Sequence, residues 1–112
     1  MKTAIKSDPV IIALDKIVNG NKFPVSAVYL FGSRVSGNEK RDSDYDLFIV
    51  FKNSESKPKM ILLRIEIKKR LKAYFPKLAF DILSRTESRF DEYKHIVNTI
   101  DNTVYENGKR II

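Results

Sequence analysis

Cysteine is absent from this chain, and histidine occurs once, at position 95. The first absence excludes a disulfide, a thiolate zinc site and a cysteine nucleophile, and it fits a reducing, cytoplasmic setting. Long apolar runs are also missing. Pro9 to Leu14 and Ala27 to Phe31 are among the longest, far short of a membrane span. Lys2 and Lys6 precede a short apolar stretch, but Asp15 interrupts it and no small-residue cleavage site follows, so no signal peptide is expected. Internal repeats, low-complexity tracts and Gly/Pro/Ser-rich linkers are lacking too, and the 112 residues are expected to form one domain, 1–112.

What is present is enough for a core. Hydrophobic residues make up 43% of the chain, too many for a disordered segment. The net charge is +7 and has an address. Nine basic residues lie between Lys52 and Lys77 against Glu55 and Glu66, so this segment alone carries +7 and the rest of the chain balances. Such a field attracts an anionic partner: a nucleotide, a nucleic acid or an acidic protein surface. A solvated helix face explains it equally well.

Ser7-Asp8-Pro9 reads as a helix start, and Val10, Ile11, Leu14, Ile17 and Val18 share one helical face up to Asn19-Gly20-Asn21. Pro24 to Phe31 reads as a central strand, apolar on both sides, and Asp44 to Phe51 as a second strand. Lys59 to Tyr74 is expected to be a helix with Met60, Leu63, Ile67, Leu71 and Tyr74 as its stripe, stopped by Pro76. A third strand is expected from Lys77 to Leu83. A last helix is capped within Ser84 to Thr86 and carries Phe90, Tyr93, Val97 and Ile100 on one face. An extended tail is expected around Thr103 to Tyr105. This order implies an α+β (mixed α/β) fold, a small mixed sheet flanked by helices.

Three carboxylates sit in apolar strand contexts: Asp44, Asp46 and Asp81. Residues two apart on a strand point to one side, so Asp44 and Asp46 project together and Tyr45 points away. Asp81, between Phe80 and Ile82, is expected to lie mid-strand, where an unpaired carboxylate is costly to bury. A cation would relieve the mutual repulsion of the three, and an all-carboxylate set suits Mg²⁺ or Mn²⁺ rather than zinc. Gly32-Ser33 ends the preceding strand. Glycine permits close backbone approach, and the following turn offers N–H groups and a hydroxyl to phosphate. His95 is expected to serve a surface or packing role.

Gly32-Ser33, ten intervening residues, then Asp44-Tyr45-Asp46 is similar to the G-S-x10-D-x-D pattern of the polymerase-β-like nucleotidyltransferase superfamily. The wording Leu30-Phe31-Gly32-Ser33-Arg34 and Ser43-Asp44-Tyr45-Asp46-Leu47 resembles its minimal nucleotidyltransferase (MNT) branch. Asp81 stands on the next strand, as the family's third carboxylate does, and no position of the pattern departs from the family. The resemblance implies the nucleotidyltransferase fold and two Mg²⁺ ions held by Asp44, Asp46 and Asp81. It implies phosphate binding by Gly32 and Ser33, with Arg34, Lys40 and Arg41 as lesser contacts, and AMP transfer from ATP with loss of pyrophosphate. It further implies an antitoxin of HEPN/MNT toxin–antitoxin systems. The acceptor is then a hydroxyl, typically tyrosine, of a HEPN ribonuclease toxin bound in a hetero-oligomer. The alternatives are an antitoxin acting by binding alone, or a transferase acting on RNA, tRNA or a small molecule. The basic run Lys68-Lys69-Arg70 with Lys72 keeps the nucleic-acid alternative open.

Overall fold

The computed structural model describes residues 8–32, 44–53 and 56–112. Helix α1 (Pro9–Gly20) is followed by strands β1 (Val25–Phe31) and β2 (Tyr45–Phe51), helix α2 (Lys57–Tyr74) and strand β3 (Phe80–Thr86). Helices α3 (Glu87–Tyr93) and α4 (Ile100–Asn107) and the short strand β4 (Lys109–Arg110) complete the chain. The sheet order is β3-β2-β1-β4. β1 runs antiparallel to β2 and β4, whereas β2 and β3 are parallel and joined through α2. The fold is the expected mixed α+β sheet with helices on its faces. Among the described residues no helix is long and apolar enough to cross a membrane.

The strand periodicity of two divides the core. Tyr45, Leu47, Ile49 and Phe51 of β2 face α1 and α2, with Val10, Leu14, Ile67 and Leu71 packed against them. Phe48 and Val50 face the other way, where Phe90 of α3 and Val104 of α4 close a smaller cluster. β1 obeys the same alternation except at its start. Val25 joins the first cluster and Ala27 the second, because the register slips between them. An extra residue in one strand reverses which side the following side chains take.

Local chemistry accounts for the helix ends. Asp8 caps α1, its Oδ1 accepting from Val10 N at 2.8 Å, with Pro9 in the first turn. Ser56 and Thr86 cap α2 and α3 in the same way. α2 therefore starts at Lys57, earlier than expected. Of its expected stripe, Met60, Ile67 and Leu71 are buried, while Tyr74 is exposed.

Three expectations about the second half of the chain are corrected. The third strand begins at Phe80 and not at Lys77, because 75–78 form a turn: Leu78 N donates to Phe75 O, and Lys72 Nζ donates to Pro76 O and Leu78 O. The strand then runs on through Thr86. The single last helix is two helices. Asn98 takes a left-handed conformation (φ 72°), and Thr99 then caps α4, its Oγ1 accepting from Asn102 N at 3.0 Å. Thr103 to Tyr105 are thus helical and not an extended tail. His95 is exposed and lies edge-on to Tyr105 at 5.0 Å, the packing role expected of it.

Candidate active site

β1 ends where β2 begins, and the antiparallel register places Phe31 opposite Asp46. Gly32 follows with φ +78°, a conformation that favours glycine. A Cβ at this position would clash with Asp46 Oδ2 and stand 3.0 Å from its Cγ. The missing side chain is therefore what lets the Asp46 carboxylate lie against the β1 backbone. On its other side Asp46 is the register partner of Asp81 in β3. Parallel neighbours sit about 4.8 Å apart and point the same way, so the two carboxylates face each other across one strand gap.

The electrostatics follow from this placement. Burial first, then the charges of Asp81 and Asp44, push the Asp46 carboxyl above the ordinary carboxylate range. Asp44 precedes β2 and is exposed, within electrostatic reach of Asp46. Asp81 is exposed too, at the second position of an edge strand, which corrects the expectation of a buried mid-strand carboxylate. The strand order makes β3 an edge, and its late start at Phe80 puts Asp81 second in the strand.

Tyr45 points away from the carboxylates as expected and does more than fill the core. Its hydroxyl meets Asp8 Oδ2 at 2.9 Å, and its N–H donates to Ala79 O at 3.0 Å. The residue between the two aspartates thus pins the start of β2 to the cap of α1 and to the start of β3. Asp8 reads in the sequence as a cap only. Its second bond joins residues 37 apart and has no local signal. Ser33, Arg34, Lys40 and Arg41 lie outside the described residues.

The donor set suits a hard cation. It is all carboxylate, and burial with like charge holds the pKa of its central member above the ordinary range, an effect that a bound cation would oppose. Among the described residues no three His, Cys, Asp or Glu side chains are gathered closely enough to hold an ion by themselves. Mg²⁺ does not require that. It is commonly held by one or two carboxylates, with phosphate oxygens and water completing its shell. Asp46 and Asp81, supported by Asp44, fit that role.

The family model described as polymerase beta, nucleotidyltransferase matches residues 13–111. The chain belongs to this nucleotidyltransferase family. Two solved structures share the fold. A mutant of the toxin-antitoxin MntA-HpeT superposes with a TM-score of 0.62 at 17% identity, covering 91% of this chain and 72% of its own. A toxin-antitoxin with AMP-PNP gives a TM-score of 0.63 at 19% identity and the same coverage. At such identities the likeness concerns the fold. No curated protein matches the chain by sequence. For a nucleotidyltransferase, a glycine turn against an aspartate that neighbours a second aspartate is the arrangement through which a phosphate chain and an attacking hydroxyl can meet.

Proposed function

We propose that this nucleotidyltransferase transfers AMP from ATP to a hydroxyl, in the first instance a tyrosine, of a HEPN-type toxin protein, and acts as that protein's antitoxin. The observation that carries the reading is the alignment of Gly32, Asp46 and Asp81 across three adjacent backbone segments. Asp44, Asp46 and Asp81 would hold Mg²⁺, which when bound neutralises phosphate charge and favours ionised Asp46. The Gly32 turn, continued by Ser33 and Arg34, would bind the phosphate chain through N–H, hydroxyl and guanidinium donors. Asp81, which is exposed, would bind one metal ion and help to take the proton of the acceptor hydroxyl. The hydroxyl oxygen then forms a bond to the α-phosphorus as the bond to pyrophosphate breaks.

Two features support a macromolecular acceptor. The edge position of Asp81 leaves that carboxylate open to a large partner. Two of the solved structures that share the fold are of toxin-antitoxins, one with AMP-PNP and the other with Asp-to-Glu changes at two positions two apart. The spacing of those changes equals that of Asp44 and Asp46.

The test is to coexpress the chain with the protein encoded beside it and weigh the partner. A gain of whole AMP units, absent with Asp44→Ala or Asp46→Ala, is the expected result. A partner neutralised without any mass change, equally by wild type and both variants, would establish the binding-only alternative instead.

A further inference from the structure

The basic segment is not used by the site above, and the structure gives part of it a second location. The C-terminal end of β3 and the first turn of α2 enclose an open cleft of about 420 Å³, lined by Lys57, Met60, Ser84, Arg85, Thr86 and Arg89. Three of these six residues are cationic and none is acidic. Arg64 lies one helical turn beyond Met60 and donates from Nη1 to Ser84 Oγ at 3.4 Å. The Arg85 charge is offset, because its Nε faces the buried Asp101 carboxylate at 3.4 Å. The cationic field of the cleft therefore comes from Lys57 and Arg89, with Arg64 reaching its wall at Ser84.

These cations are placed with some order. The Arg89 guanidinium stacks over the Tyr93 ring at 4.5 Å, which fixes the plane of its donor fork. Lys57 stands in the first turn of an 18-residue helix, whose positive end faces the same cleft. The cleft is separate from the carboxylates. Arg85 and Asp81 lie on the same side of β3 but four residues apart, about 13 Å along the strand.

We propose that this cleft is a second site, which binds the phosphate group of a nucleotide or of an RNA strand. Two lining cations, with Arg64 beside them, match a phosphate, which stays charged and presents at least two non-bridging acceptor oxygens both in a nucleotide and along an RNA strand. Arg89 supplies the planar fork, and Lys57 and the helix end supply point charge. The proposal does not depend on catalysis, so it is tested with the metal held away from the carboxylates.

The experiment is a ¹H–¹⁵N titration of the full chain in low salt with EDTA, using three probes: ATP, a short single-stranded RNA, and poly-glutamate of matched charge. Shifts at Lys57, Ser84, Thr86 and Arg89, with Asp46 and Asp81 unmoved, are expected with ATP or RNA. Response to RNA alone assigns the phosphate to nucleic acid, and response to ATP assigns it to free nucleotide. Lys57→Gln with Arg89→Gln should weaken binding to both phosphate probes, and in the RNA arm should lower the log–log salt slope by about 1.4. Lys57→Gln alone, which leaves the Tyr93 stack intact, should weaken binding in the same direction. No shift with either phosphate probe, binding indifferent to these variants, or poly-glutamate binding as tightly as RNA would overturn the proposal.

Discussion

Gly32 and Asp46 occupy what would otherwise be one space: the Asp46 carboxylate fills the position that a side chain on residue 32 would take. Gly32→Ala therefore carries two penalties. Alanine at φ +78° is strained by about 1 kcal/mol. The new methyl group also drives Asp46 from its place opposite Asp81. Urea unfolding should show a loss of about 1–2 kcal/mol. AMP transfer should fall by at least about 100-fold, because displacement of a reacting group by an ångström has that effect. Transfer at the wild-type rate would mean that Asp46 is not positioned by this glycine.

The raised pKa of Asp46 gives a stability prediction with a definite sign. An acid whose folded pKa lies above its unfolded value holds its proton more tightly when folded. The fold then loses stability as pH rises from the ordinary carboxylate range through the raised value. Asp46→Asn removes that charge, so in EDTA at neutral pH the variant should melt higher than wild type. The gap should close in acid, below the ordinary carboxylate range. Mg²⁺ should raise the melting temperature of wild type and not of the variant. A variant less stable than wild type at neutral pH without metal would show that Asp46 is not under electrostatic strain.

Asp81 lends itself to separating folding from chemistry. It is exposed on an edge strand, so Asp81→Asn should change stability by no more than about 0.5 kcal/mol. If Asp81 takes the acceptor proton as proposed, its loss should slow transfer by about 100-fold or more. Nucleotide binding, read by titration with a non-hydrolysable ATP analogue, should survive. If transfer is unimpaired, proton acceptance belongs to another group.

The parts of this architecture that local patterns encode were readable in the sequence. The Asp8 cap, the five apolar positions of α1 and the alternation in β2 each depend on residues a few positions apart. The carboxylates could be named from spacing and resemblance, and their strands placed two of them side by side. Three features could not be read that way. The start of β3 is set by the 75–78 turn, whose bonds involve Lys72 from the preceding helix. The split between α3 and α4 rests on a left-handed Asn98, a residue that sequence alone allows but does not require. β4 has two residues and exists because β1 offers it an edge, aided by Gly108, where a Cβ would press on Val104 O. The Tyr45–Asp8 bond is tertiary in the same sense.

Arg85 and Asp101 form the most deeply buried ion pair among the described residues. Asp101 is 2% exposed; Arg85 Nε donates to its Oδ1 at 3.4 Å, while its Oδ2 has no hydrogen-bond partner and lies 3.4 Å from the same nitrogen. Arg85 also donates from Nη1 to Ser84 O at 2.9 Å and lies over the Phe48 ring at 5.5 Å. The pair joins β3 to α4 across the smaller core. Removing one partner strands the other's charge, which is the costly way to break a buried pair. Arg85→Met keeps the packing over Phe48 and leaves Asp101 uncompensated, so it should cost about 3 kcal/mol in urea unfolding. Replacing both, as Arg85→Met with Asp101→Leu, removes the buried charge altogether and should recover most of that loss. The double-mutant cycle then separates the interaction from the packing: a double variant no better than Arg85→Met alone would show that the pair is held for its shape and not its charge.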